Sequence, residues 1–220
     1  MSSDLYSKEY IKNLSQLKEL VPEQMKTYRD FSAAVFTEGV LSKREKELIA
    51  VAITHVTECP YCIDFHTKAA KKAGATLAEL AEAVFVTVAV EAGGAITHST
   101  HVHNAKQKDA SDVLYARSNL KNLGQLGTFA PEGFKGYQAF SAAATKVGNL
   151  SAKFKEIIAV AVANATQCPY CIDVHTKKAE QLGATNEELA EAVMVTSVVR
   201  AGGAYVHMAN MIQSFRENEG

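Results

Sequence analysis

The chain has 220 residues, 47% of them hydrophobic, and 24 acidic against 23 basic side chains give a formal net charge of −1. This is ample material for a soluble globular core, and the balanced charge argues against the basic surface that a nucleic-acid partner requires. Met1–Tyr10 lacks the charged and then apolar pattern of a secretory signal, and the best apolar run, Ala83–Val90, is closed by Glu91, far short of the roughly 18 residues of a membrane span, so a cytoplasmic chain without a membrane contact is expected.

Alanine- and valine-rich stretches interleaved with Lys and Glu, only 4 prolines and almost no strand-like alternation predict an all-α protein. Sliding the sequence against itself by 109 residues aligns residues 2–98 with 111–207 without a gap, about half the positions being identical. Two tandem copies, 1–109 and 110–220, are therefore expected, each one folding unit of roughly six helices. In the first, a helix from about Ser7 to Leu20 precedes Pro22, which suits the first turn of a second helix ending near Gly39. Ser42 and Glu45 form a capping box for a helix to about Thr57, with Leu48, Ile49, Ala52 and Ile53 on its apolar face. Pro60 starts a helix that stops at Gly74, and Thr76 with Glu79 opens the next, as Thr185 with Glu188 does in the second copy. Gly93-Gly94 and Gly202-Gly203 predict a break or a close helix contact before a last helix holding His98 or His207.

All four cysteines sit in two Cys-x-x-Cys pairs, a usage that in a cytosolic chain reads as redox-active or metal-binding. Spacings of three and four put Cys59, Cys62 and His66 on one helix face, and likewise Cys168, Cys171 and His175. Cys59, at the helix start, gains thiolate stabilisation from free backbone N–H groups and the helix dipole, whereas Cys62 depends more on His66. Glu47 and Glu156 each lie twelve residues before the first cysteine of a pair; a buried carboxylate facing the imidazole would fix its tautomer and raise its basicity.

This Glu-x11-Cys-x-x-Cys-x3-His pattern, present twice, resembles the AhpD-like alkylhydroperoxidase family within the carboxymuconolactone decarboxylase superfamily. The resemblance implies an all-helical fold and a peroxidase needing neither cofactor nor metal. Cys62 and Cys171 would attack the hydroperoxide, Cys59 and Cys168 would resolve the sulfenic acid into a disulfide, and Glu47–His66 and Glu156–His175 would relay protons. An external dithiol protein would reduce the disulfide. Single-copy relatives form hexamers, which implies a homotrimer for a tandem chain. Tyr61 and Tyr170 stand where some members carry a further histidine, and members that decarboxylate a lactone lack the cysteine pair.

Two other functions compete. A thiol–disulfide oxidoreductase uses the same low-pKa pair, and zinc held by Cys59, Cys62, His66 and Glu47 or His98 would make a structural or sensing protein. His98 and His207 correspond under the repeat and are either second proton carriers or core histidines; His101 and His103, without counterparts, read as a solvated helix end, and His55 as structural or exposed. Tyr61 and Tyr170 either shield the thiols or pack on a neighbouring helix. The double glycines fit helix packing and not a phosphate loop.

Overall fold

The computed structural model describes residues 6–108 and 113–217, and every regular element among them is helical. The expected junction between the copies, at residues 109 and 110, lies outside the described residues. The first copy comprises a 3-10 segment, Lys8–Gln16, then α1 (Leu17–Leu20), α2 (Pro22–Val35), α3 (Lys43–Val56), α4 (Pro60–Lys72) and α5 (Leu77–Asn104). The second repeats the order with a 3-10 segment, Arg117–Asn122, then α6 (Leu123–Phe129), α7 (Pro131–Thr145), α8 (Ala152–Ala165), α9 (Pro169–Gln181) and α10 (Asn186–Glu217).

The helix starts are where the caps put them. Ser42 and Glu45, and Thr76 and Glu79, form reciprocal capping boxes, and Glu188 bonds the Thr185 N–H at 2.8 Å. Two expectations are corrected. The segment at Lys8–Gln16 winds as a 3-10 helix, docked by Asn13 Nδ2, which donates to Ala209 O at 3.2 Å on α10. The double glycines interrupt nothing: α5 and α10 run straight through them, so the fifth and sixth helices of each copy are one. The reason is steric. A Cβ on Gly93 would stand 2.7 Å from the Tyr137 hydroxyl, and one on Gly202 3.1 Å from that of Tyr28, so the glycines let tyrosines of α7 and α2 lie against an unbroken helix.

The core is built on α3 and α8, apolar on nearly every side and buried from Lys46 to Thr54 and from Phe154 to Ala163, as a central helix must be. A single cluster joins Leu48, Ile49 and Ile53 of one copy to Ile157, Ile158 and Val162 of the other. The long last helices cross over: α5 packs on α7, α8 and α9, and α10 on α2, α3 and α4. By length and composition α5 and α10 could span a bilayer, yet here both are packed into the bundle. Matching carboxylates pin the crossings. Glu82 of α5 accepts from Asn149 N at 2.8 Å, Leu150 N at 3.0 Å and Lys155 Nζ at 2.8 Å; Glu191 of α10 accepts from Val40 N at 3.1 Å, Leu41 N at 2.9 Å and Lys46 Nζ at 3.2 Å.

Candidate active site

The cysteine pairs sit at the turn from α3 into α4 and from α8 into α9. Glu58 (φ 52°) and Gln167 (φ 57°) occupy the left-handed region just before the first cysteine, where a side chain is strained. This sharp turn makes Cys59 and Cys168 helix caps, each sulfur accepting the backbone N–H of the second cysteine at 3.3 Å, with Pro60 and Pro169 in the first turn, where no N–H is missed. Cys59 and Cys62 are joined as a disulfide, with Cα atoms 5.3 Å apart. Cys168 and Cys171 are free thiols, with sulfurs 2.7 Å apart. In both copies the two sulfurs of the pair thus stand side by side at the start of a helix.

Glu47 and Glu156 turn back onto the histidines of the next helix. Glu47 Oε2 lies 2.8 Å from His66 Nδ1, and Glu156 Oε2 lies 2.7 Å from His175 Nδ1, all four side chains being largely buried. With Nδ1–H donating to the carboxylate, Nε2 is left as the acceptor, the tautomer a general base requires. Cys62, His66 and Glu47 all line one cavity of about 450 Å³, while Cys59 is fully sealed from solvent.

In the reduced pair the hydrogen bond from Cys171, backed by its backbone N–H, the Thr97 hydroxyl and the charge of His98, outweighs burial and holds the Cys168 thiol down at about 5. Cys171, which keeps the shared proton, is pushed up. The two sulfurs share one proton and titrate as a pair, so the first proton of the pair is lost well below the usual thiol range.

Several groups around the thiols come from the other copy. Thr97 Oγ1 of α5 lies 3.6 Å from Cys168 Sγ and 3.8 Å from Cys171 Sγ. His98 stands 6.1 Å from the Tyr170 ring, and His207 of α10 stands 6.0 Å from the Tyr61 ring. The histidines of the last helices therefore stand beside the opposite copy's cysteine pair, with Nε2 of each buried and without a hydrogen-bond partner among the described residues. His101 is corrected from a solvated helix end: its ring lies 5.3 Å from Tyr115 and 5.9 Å from Tyr170. His55 bonds the Val51 carbonyl at 2.8 Å, as Asn164 bonds that of Val160.

Tyr61 and Tyr170 anchor the N-terminal segments over the thiols. The Tyr61 hydroxyl donates to Ser7 O at 3.2 Å, and that of Tyr170 donates to Leu114 O at 3.1 Å and accepts from Asn119 Nδ2 at 2.9 Å. Thr97 carried no signal as a site residue in the sequence, because it belongs to the first copy and meets the thiols of the second; Tyr28, which lines the first cavity from the same copy as Cys62, carried none either. Among the described residues no cluster of three or more His, Cys, Asp and Glu has metal-binding geometry.

The profile of the carboxymuconolactone decarboxylase family matches residues 22–105 and again 131–213. A protein from the cox locus of Paracoccus denitrificans is 48% identical over 68 residues, covering 31% of this chain and 61% of that protein. A Haemophilus influenzae protein is 37% identical and a Cupriavidus necator protein 33% identical over 95 residues, 43% of this chain and 84% of each relative. A solved Burkholderia xenovorans chain, described as a gamma-carboxymuconolactone decarboxylase subunit, superposes over 98% of this chain and 93% of its own with a TM-score of 0.69 at 21% identity, a likeness of fold. With both copies matched over most of their length, the chain belongs to the carboxymuconolactone decarboxylase family and carries the family's unit twice.

Proposed function

We propose that the chain is a thiol peroxidase acting at two Cys-x-x-Cys sites, each with its own Glu–His relay. The observation that carries this reading is the shared cavity of Cys62, His66 and Glu47, in which the glutamate fixes the imidazole as a base. His66 takes the Cys62 proton. The thiolate attacks the outer oxygen of a hydroperoxide, the O–O bond breaks, and the alkoxide leaves as the alcohol after receiving the proton from His66. Cys59 then displaces hydroxide from the Cys62 sulfenic acid, forming the disulfide and releasing water. An external dithiol returns the pair to the reduced state by exchange and is itself oxidised to a disulfide. Cys171, Cys168, His175 and Glu156 take the same roles at the second site.

A hydroperoxide reaches the thiols through the cavity that Cys62 lines, and the dithiol that re-reduces the pair must approach the same sulfurs, so burial does not separate a peroxidase from a thiol–disulfide oxidoreductase. The low thiol of Cys168 would serve either chemistry, so the relay is the discriminating part. Glu47→Gln, in protein whose second pair is removed by Cys168→Ser and Cys171→Ser, is expected to slow thiol oxidation by hydrogen peroxide about a hundredfold with the fold intact by circular dichroism. An unchanged rate would remove the relay from the mechanism.

A further inference from the structure

The two sites carry the same reacting groups but different walls, and the repeat offset of 109 residues makes the comparison position by position. Around the first site stand Phe36, Phe65 and Tyr205, where the second has Thr145, Val174 and Ile96. Phe36 stacks on the His66 ring at 5.4 Å and Phe65 meets it edge-on at 5.0 Å, so the base of the first site is boxed by aromatic carbon. Val206 packs on Cys59, Tyr61 and Cys62, at the position where Thr97 brings a hydroxyl to the second pair of sulfurs.

Charge differs as well. Lys43 lines the first cavity and also the surface groove beside it, so it stands where the cavity meets solvent. It makes no ion pair with any described residue. The matching residue of the second copy is Ala152. The cation of the second site is Lys178, in place of Ala69, and its ammonium is already 4.0 Å from Glu156 Oε1.

We infer that the first site is selective for hydroperoxides with an apolar body and a carboxylate, of the fatty-acid class, and that the second site does not make this distinction. The inference rests on the peroxidase reading for its chemistry: the O–O bond breaks at Cys62, the outer oxygen passes to sulfur, and the product is the hydroxy acid. The ligand class itself rests on the walls. The chain of the acid lies along the apolar lining of the cavity, whose polar groups besides Lys43 are Ser32, Glu47, His66, the Cys62 sulfur and the tyrosine hydroxyls, and its carboxylate meets the ammonium of Lys43 at the mouth. A cavity of this volume is in the range that takes a small amphipathic molecule.

The test separates binding from chemistry. Isothermal titration of the whole disulfide-form protein with decanoate and with decanol is expected to show one decanoate bound per chain, with a preference for the acid over the alcohol that Lys43→Ala reduces about fivefold. In single-turnover oxidation, protein carrying only the first pair should react faster with linoleic acid hydroperoxide than with its methyl ester, and protein carrying only the second pair should not. Equal acid preference with and without Lys43, or the same acid-to-ester ratio at both sites, overturns the inference. Thiols inert to every hydroperoxide, with decanoate still held through Lys43, would overturn the peroxidase reading and support the ligand class.

Discussion

Glu82→Gln tests whether the two copies are held as one body by their exchanged last helices. One carboxylate oxygen of Glu82 accepts from Asn149 N and Nδ2, at 2.8 and 2.7 Å, and the other from Leu150 N and Lys155 Nζ, at 3.0 and 2.8 Å. An amide has only one acceptor, so glutamine turns an NH2 group towards two donors, and the Lys155 side chain, 4% exposed, loses its counter-charge. Burial raises the Glu82 carboxyl, but the bonds from Lys155, Leu150 and Asn149 outweigh it and bring it from 4.5 to about 2. At about 1.4 kcal/mol per unit this bounds the effect near 3 kcal/mol, and because the Glu82 side chain is 22% exposed, screening leaves about 2 kcal/mol. The sign follows from a depressed acid: the stabilisation is fully present above pH 4.5 and is lost as pH falls towards 2. Urea unfolding at pH 7 should show the loss directly, thermal unfolding a fall of about 4–8 °C, and the variant should lose less stability than the parent between pH 5 and 2. A variant within about 0.5 kcal/mol of the parent, with the same acid dependence, would refute the role given to the clamp.

Other perturbations probe the site turn, the helix crossings and the thiols. Glu58→Gly relieves a left-handed side chain and should raise stability by about 1 kcal/mol in thermal unfolding. Gly94→Ala, with nothing within 4 Å of the added Cβ, should be neutral or stabilising by up to about 1 kcal/mol, while Gly93→Ala, aimed at the Tyr137 hydroxyl, should destabilise. The reduced second pair should titrate with a first apparent pKa near 5, followed by thiolate absorbance; Thr97→Val removes a hydroxyl that favours the thiolate and should move this step upward, so that alkylation in mildly acidic buffer slows.

Much of this architecture is written locally. Capping boxes at Ser42, Thr76 and Thr185 state where helices start, and the spacing of Glu47, Cys59, Cys62 and His66 states which groups can meet, because a helix fixes its own geometry. What the sequence does not state is the partner of each apolar face. Residues of α5 and α10 repeat under the 109-residue offset, so packing on the same copy or on the other satisfies one and the same pattern, and only the three-dimensional crossing decides. For that reason His98 reads as a residue near Cys59 and Cys62 but lies against Tyr170, and Thr97 carries no signal at all. Gly93-Gly94 was legible as a close contact, not as a continuous helix, since glycine permits both. That Cys168 caps a helix was legible from its place before Pro169, whereas its proton-sharing with Cys171 depends on the sulfur-to-sulfur distance.

The most direct measurement is stopped-flow oxidation of the fully reduced chain by hydrogen peroxide and an organic hydroperoxide with thiol counting, in the parent, in Cys62→Ser, in Cys171→Ser and in the double variant. Rapid loss of two thiols per site, halved in each single variant and abolished only in the double variant, is the predicted result; thiols that stay unreacted in the parent would contradict the peroxidase account.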